Sequence, residues 1–210
     1  LRSPDELPTI SMEGLQKLNS PLVLVTIDDF KIQDLLKNSE ELRRLEVNKV
    51  GFSAKRDQLA NQVHDLAHDL IIQVDLPVEE LCEFLDWTQD EAIERMPFNA
   101  PGVLDSLKDS VRQHARVGET LVLVQNSEKI ATCVGFDMVI DGEPTTLISW
   151  VWVKSDISAA LKQAILSNIT KWLEKTAQQK LFAAIHVENE RSINFFSKMG
   201  FQPSCLFVRP

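Results

Sequence analysis

The chain contains no tyrosine, only 3 cysteines and no long apolar run, and each shortage argues against a kind of catalytic group or a class of protein. Without tyrosine, no phenol hydroxyl is present to act as an acid in catalysis. Cys82, Cys133 and Cys205 are widely spaced and form no Cys-x-x-Cys pair, so they predict reduced thiols in a cytoplasmic protein. The longest apolar runs, such as Leu121–Val124, are far shorter than a bilayer span, so no membrane partner is expected.

Basic charge is also in short supply. The 210 residues include 22 Lys+Arg against 31 Asp+Glu, a formal net charge of −9. Because a nucleic-acid binder needs a basic face toward the phosphates, no nucleic-acid partner is expected. All of the net charge lies in residues 1–116, and the charges of residues 117–210 balance. The secondary-structure pattern also changes near residue 117. Together, the charge distribution and this change predict an N-terminal arm (1–21), a first strand with an acidic helical region (22–116) and a core (117–210).

Before residue 117 most periodic segments are helical. The β-branched run Leu22–Ile27 predicts one buried strand. Apolar residues in Leu59–Ile71 recur at helical spacing and predict an amphipathic helix. Pro77 suits the first turn of another helix, and the break at Pro101 precedes a further one. The first half therefore predicts one strand followed by several helices.

From residue 120 onward the pattern changes to short strands alternating with helices. Asn126-Ser127 and Asp141-Gly142 predict turns, and Gly135 predicts a bulge. Three strands joined by turns and followed by a helical crossover predict a mixed sheet. The predicted elements are strands Leu121–Val124, Lys129–Ile140 and Thr145–Lys154, a helix capped by Ser155 or Asp156, strand Leu181–Val187, helix Ser192–Met199 ended by Gly200, and an extended Phe201–Val208.

The stretch Asn189–Phe201 reads Asn-Glu-Arg-Ser-Ile-Asn-Phe-Phe-Ser-Lys-Met-Gly-Phe. With its Asn, Ser, Phe-Phe, Lys, Gly and Phe at these spacings after a strand, it resembles the C-terminal motif of the GNAT acyltransferase superfamily. The resemblance covers residues 117–210, and Leu22–Leu45 is similar to the family's first strand and helix. It implies an α/β fold of the α+β type: a GNAT-like mixed, mostly antiparallel sheet flanked by helices, with an enlarged helical region in the N-terminal half.

The resemblance also implies where an acyl thioester would bind. In the family two neighbouring parallel strands, here Thr145–Lys154 and Leu181–Val187, diverge and offer their backbone groups to the pantetheine arm of acetyl-CoA. His186, at the end of the second strand, is the best-placed titratable base. Glu188 is another candidate base, with an exposed loop carboxylate as the alternative. The cofactor-binding residues that follow from this arrangement are Val151, Trp152, Val153, Lys154, Asn189, Ser192 and Phe196.

Two positions depart from the family pattern. The family holds the pyrophosphate with a glycine-rich loop before a helix, where backbone N–H groups approach the phosphates. The corresponding stretch Val153–Leu161 contains no glycine, and Asp156 puts a like charge there, although Lys154 and Lys162 compensate in part. Phe196 replaces the tyrosine with which many members protonate the leaving thiolate, and phenylalanine carries no proton to give.

Other clusters invite functional and structural interpretations. His64 and His68 have the spacing of zinc ligands on a helix, but no third ligand is evident, so an exposed polar face is favoured and no metal is expected. Trp150 and Trp152 lie on the same side of a strand. They are either core residues or part of a pocket wall that contacts substrate. An acidic helix is either an ordinary exposed face or a dock for a basic protein; its carboxylates are Asp75, Glu79, Glu80, Glu83, Asp86, Asp90, Glu91 and Glu94.

Two functions are consistent with these observations. The first is N-acyltransfer, in which an acetyl group moves from acetyl-CoA to an amine of a small molecule or peptide. The second is a GNAT-fold protein without catalysis that binds a partner through its acidic helical region. The motif at Asn189–Phe201 favours the enzyme, and the altered phosphate loop favours the binding protein.

Overall fold

Residues 9–10, 22–27, 69–73, 76–95, 101–177, 180–186 and 188–207 are described in the computed structural model of the chain. The helices within these residues are α1 (Val78–Ile93), α2 (Pro101–Val117), α3 (Ala159–Thr176) and α4 (Glu190–Lys198). The strands are β1 (Thr9–Ile10), β2 (Leu22–Ile27), β3 (Ile71–Gln73), β4 (Glu119–Gln125), β5 (Glu128–Ile140), β6 (Glu143–Val153), β7 (Lys180–His186) and β8 (Gln202–Phe207).

Within the described residues, the strands form one mixed sheet in the order β3-β4-β5-β6-β7-β2-β8, and β1 pairs with β5. The β6–β7 and β1–β5 pairs are parallel, and the other pairs are antiparallel. This arrangement, with helices against the sheet, confirms the predicted fold class. The strand predicted at Leu22–Ile27 is also confirmed, and it lies between β7 and β8, far from β4 in the sheet.

Two tight turns connect the central strands. Asn126 and Ser127 have φ angles of 51° and 64°, and Asp141 and Gly142 have φ angles of 49° and 85°. Positive φ at both central residues is the geometry of the two-residue hairpin turn that matches the twist of the flanking strands. The two predicted turns are therefore confirmed, and they place β4, β5 and β6 side by side.

The two faces of the sheet carry separate cores. On one face, Trp150 donates its indole N–H to Thr88 of α1 at 3.0 Å, and Trp152 donates its own to Glu91. Their rings lie in the cluster under α1 and α2, while Val151 and Val153 pack toward the cluster under α3 and α4. The predicted alternation along this strand is confirmed, and the two tryptophans fix α1 across β6.

The start of α3 differs from the prediction. Ser158 is the N-cap, and its hydroxyl accepts the backbone N–H of Leu161 at 3.2 Å. Ser155 instead donates to the carboxylate of Asp156, outside the helix. Ser155 and Asp156 are therefore not the caps, because Ser158 is the residue whose hydroxyl reaches the first turn.

The helix predicted over Leu59–Ile71 is wrong at its end. Ile71 belongs to β3 and pairs with Val124 of β4, so sheet pairing overrides the helical spacing there. The rest of that segment up to residue 68, with His64 and His68, lies outside the described residues. No helix in the part of the chain that the structure describes has the length and apolarity to cross a bilayer.

Candidate functional site

The strands β6 and β7 separate after a short paired region. Thr145, Thr146 and Leu147 pair with Lys180, Leu181 and Phe182, and the parallel ladder ends there. Beyond it, residues 148–153 of β6 and 183–186 of β7 are not paired with one another. The ladder therefore leaves the carboxyl ends of the two strands unpaired with one another, and the gap between these ends is called the cleft below. In open α/β sheets, ligands commonly bind at this edge.

A bulge in β6 accounts for the separation. Val134 of β5 pairs with Trp150, but its neighbour Gly135 pairs with Ile148, so Ser149 is an additional residue in β6. A bulge bends its strand and increases the local twist. Because Ser149 lies two residues beyond Leu147, β6 turns away from β7 where the ladder ends. The bulge predicted at Gly135 is confirmed in position, and its extra residue is on the partner strand.

The end of β6 presents backbone groups to the cleft. The N–H of Lys154 donates to the carbonyl oxygen of Ile130 in β5 at 2.9 Å. Successive residues of a strand direct their backbone groups to opposite edges, so the groups of Val153 and Val151 face the β7 side. These two residues supply donors and acceptors along the cleft, while their side chains pack toward α3.

His186 is the last residue of β7, and Glu188 lies in the turn that follows it. The backbone N–H of Glu188 donates to Nδ1 of His186 at 3.2 Å, and the N–H of Asn189 donates to the carbonyl of His186 at 2.9 Å. Because Nδ1 accepts a hydrogen bond, the neutral ring carries its proton on Nε2. Glu188 is exposed to solvent. The parallel direction of β6 and β7 brings this turn to the same edge as Val153.

Asn189 caps the helix after the turn. Its side-chain oxygen accepts the backbone N–H of Ser192 at 3.1 Å, and the helix starts at Glu190, two residues before the predicted start. Phe196 lies inside the core at 6 % exposure, with its ring 5.1 Å from that of Phe201. The motif therefore includes a helix cap and a core aromatic ring, which are structural roles.

The start of α3 carries a capping hydroxyl and a nearby carboxylate. The hydroxyl of Ser158 already occupies the N–H of Leu161. Asp156 is exposed beside it, and Lys154 is paired with Glu128. The start of α3 therefore has one N–H fewer to offer an anion, and the carboxylate of Asp156 lies close to it in the chain.

Much of the acidity of α1 is paired with cations. Glu80 pairs with Lys129 of β5, whereas Asp86 and Asp90 pair with residues of α2. Asp86 is hydrogen-bonded to Arg112 and raises the pKa of that guanidinium. These contacts attach α1 to its neighbours, a role that the sequence pattern did not reveal. Asp75 lies outside the described residues.

Trp152 is buried on the α1 side, so its indole does not share a face with Val151 and Val153. The carboxylate of Glu91 accepts the indole N–H of Trp152 and also pairs with Arg95. Sequence reasoning missed Glu91 as a partner of this strand. Among the described residues, no group of three or more His, Cys, Asp or Glu is arranged to hold a metal ion.

Comparison with known proteins gives distant structural likenesses. No family model and no curated protein sequence matches the chain. A possible acetyltransferase from Clostridium difficile 630 is 13% identical, with a TM-score of 0.45, over 67% of this chain and 95% of its own. An aminoglycoside acetyltransferase from an uncultured soil metagenomic sample, solved with sisomicin, is 14% identical, with a TM-score of 0.41, over 67% of this chain and 91% of its own.

A third similar structure is the C-terminal DUF2156 domain of a candidate lysylphosphatidylglycerol synthetase from Agrobacterium fabrum. It is 14% identical, with a TM-score of 0.44, and the match covers 90% of this chain and 60% of that one. The chain thus spans about three fifths of that structure.

Proposed function

We propose that the cleft between β6 and β7 binds an acyl thioester of coenzyme A, and that the protein transfers the acyl group to an amine. The separation of the two strands after Leu147 and Phe182 carries the proposal. It gives β6 an edge whose backbone groups at Val151 and Val153 face an opening rather than a neighbouring strand. An extended pantetheine arm pairs with such an edge as an added strand does.

The chemistry needs a polarised carbonyl and a proton acceptor. The N–H groups at Val151 and Val153 donate toward the thioester carbonyl and stabilise the negative charge that develops on its oxygen. The amine nitrogen attacks the carbonyl carbon, the carbon–sulfur bond breaks, and the thiolate leaves. We assign acceptance of the amine proton to Glu188. His186, protonated on Nε2 when neutral, donates a hydrogen bond at the same edge.

The donor is expected to bind weakly at its phosphate end. Asp156 places a negative charge beside the first turn of α3, and Lys154 is engaged by Glu128. Lys162, exposed in the same turn, is the remaining cation of this segment. We propose acetyl-CoA as the donor and an amine of a small molecule or peptide as the acceptor, in the cytoplasm.

The experiment is titration calorimetry of the full chain with acetyl-CoA, followed by detection of released thiol with a panel of amines. Val153→Pro removes an N–H that faces the cleft without removing a bond to β5, and Val153→Ala is its matched side-chain control. We expect the proline variant to lose binding and the alanine variant to keep it. Asp156→Asn, at an exposed site, should tighten binding several-fold.

Absence of binding heat at millimolar acetyl-CoA would contradict the proposal. The proposal would also be contradicted if the two Val153 variants bound acetyl-CoA with equal affinity and circular dichroism showed both to be folded. An unchanged affinity for Asp156→Asn would show that the phosphates bind elsewhere.

The alternative function is a protein of this fold that binds a basic partner without catalysis. The burial of Phe196 as a core ring and the negative charge of Asp156 at the start of α3 favour it. Ion pairs engage Glu80, Asp86 and other carboxylates of α1, so docking would depend on the exposed Glu79 and Glu83. Charge reversal of Glu79 and Glu83 should abolish a salt-sensitive interaction, and insensitivity to it would dismiss this function.

A further inference from the structure

A cavity of about 350 Å³ lies beneath the C-terminal end of α3. It is partly open to solvent and is lined by the end of α2, the start of β4, the middle of β5, the first half of β6 and the last turns of α3. The cleft described above lies near Ser158, at the other end of this helix. Trp172, in the cavity wall, follows Ser158 by about four helical turns, so these two residues are separated by roughly 20 Å along the helix axis. The cavity adjoins β6 at Thr146, where β6 is still paired with β7.

Gly135 keeps the floor of this cavity open. A Cβ atom at Gly135 would lie 3.4 Å from Cη2 of Trp172 and 3.5 Å from Cγ2 of Thr146. Any larger side chain at this position would fill the space between β5 and α3. Glycine in the interior of a strand packs poorly, and it commonly marks a place where a ligand or another backbone approaches closely.

The lining has the electrostatic character of a site for a cation. Asp137 is partly buried in the wall, and its carboxylate accepts the hydroxyl hydrogen bond of Thr146. Among the described lining residues, Glu119 adds a second carboxylate and Lys175 adds an ammonium, both exposed. The carbonyl end of α3 contributes negative partial charge. The ring of Trp172 also forms part of the wall, and an aromatic face attracts ammonium groups.

We infer that this cavity binds a small aliphatic amine in its protonated form, with Asp137 as the counter-ion. The volume equals that of about a dozen water molecules, which suits a short diamine. This site is separate from the cleft between β6 and β7. The inference does not depend on the function proposed for that cleft. None of the described residues that line the cavity is assigned to acyl transfer.

The test uses the full chain and 1,4-diaminobutane as the probe, with calorimetry at low ionic strength. The neutral 1,4-butanediol has the same length and controls for shape. Asp137→Asn keeps an acceptor for Thr146 but removes the charge. Lys175→Gln removes the competing ammonium at an exposed position. Glu174→Gln, exposed on the same turn of α3 but outside the cavity, is the matched control for the loss of one negative charge.

We expect the diamine to bind and the diol to give no heat. Asp137→Asn should lower the affinity for the diamine by roughly tenfold or more, which is the change that the loss of one charge-assisted contact produces. Lys175→Gln should raise the affinity for the diamine several-fold, and Glu174→Gln should change this affinity by no more than about twofold.

Several results would overturn the inference. These are no diamine heat at millimolar concentration, equal binding of the diol, unchanged affinity of a folded Asp137→Asn variant, and an effect of Glu174→Gln as large as that of Asp137→Asn. If Asp137→Asn does not fold, Lys175→Gln decides, because its site is exposed. An unchanged or weakened diamine affinity in that variant rejects the cavity as an amine site.

Discussion

The side-chain oxygen of Asn189 accepts the backbone N–H of Ser192 at 3.1 Å and thereby closes the first turn of α4. Replacement of such a cap by alanine costs about 1 kcal/mol, because one N–H of the helix start loses its partner. We expect Asn189→Ala to lower the free energy of unfolding by this amount in urea titration. Asn189→Ser, which keeps a capping oxygen, should remain close to the parent protein.

The same pair of variants tests whether Asn189 also contacts a thioester. If Asn189 acts only as a cap, Asn189→Ser should bind acetyl-CoA as the parent protein does. Loss of acetyl-CoA binding in a serine variant of full stability would show direct contact between the amide and the ligand.

Gly118 is a position where no side chain fits. A Cβ atom there would lie 2.2 Å from the carbonyl oxygen of Gly135 and 2.8 Å from that of His114. Because both obstacles are backbone, Gly118→Ala must displace β4 or α2, and we expect a loss of about 3 kcal/mol in stability. Gly142→Ala is the comparison, since its Cβ would meet nothing within 4 Å and only its φ of 85° is strained.

Gly142→Ala should lower the stability by about 1 kcal/mol, because alanine is strained in the left-handed region that glycine adopts freely. Chemical denaturation of the two alanine variants measures the difference. A Gly118→Ala variant no less stable than Gly142→Ala would mean that the contact between β4 and β5 is looser than the structure has it.

His114 links stability to pH. Burial lowers its pKa below the ordinary value of 6.5, and its ring stacks on Phe136 with centroids 4.6 Å apart. Between the lowered pKa and 6.5, the unfolded chain binds more protons than the folded chain, so stability rises with pH across this window. Acidification from above 6.5 should therefore destabilise the protein until the pH passes below the folded pKa.

Urea titrations at about pH 7.5 and about pH 5.5 measure this loss. His114→Phe keeps a ring against Phe136 but cannot take up a proton, so the part of the pH dependence due to His114 should disappear. The same pH dependence in His114→Phe as in the parent protein would assign it to other groups.

Cys133 and Cys82 should differ in reactivity. Cys133 is fully buried in β5, and burial raises its pKa, so little thiolate is present to react. Cys82 in α1 is only partly buried. We expect a thiol reagent to modify Cys82 in the folded protein and Cys133 only after unfolding, as read by mass spectrometry of the labelled peptides. Rapid native labelling of Cys133 would show that β5 opens locally.

Local sequence signals predicted the central part of the fold. Asp141-Gly142 specified its turn because both residues tolerate positive φ, and the alternation at Trp150–Val153 specified which side chains face each core. The bulge was signalled by Gly135, a residue of low strand preference within a long strand. These features depend on neighbouring residues, so they can be read without knowledge of the whole chain.

Features that depend on distant residues were not predicted. Ile71 continues a helical spacing but joins β3, because a partner strand more than forty residues later pairs with it. The carboxylates of α1 suggested an open acidic face, and their cations lie in α2 and β5. The cavity at Asp137 depends on how α3 crosses the sheet, which no local pattern specifies. The cleft was expected only through the resemblance of the C-terminal motif.

The position of β2 has a consequence for biosynthesis. Its hydrogen-bonded neighbours are β7 and β8, so Leu22 pairs with both His186 and Phe207, near the other end of the chain. Contacts between such distant residues slow folding, because a long loop must close before they form. While the ribosome makes the chain, β2 must wait for its neighbours until residues 180–207 have emerged. A pause in translation before that point would leave an unpaired apolar strand exposed to aggregation.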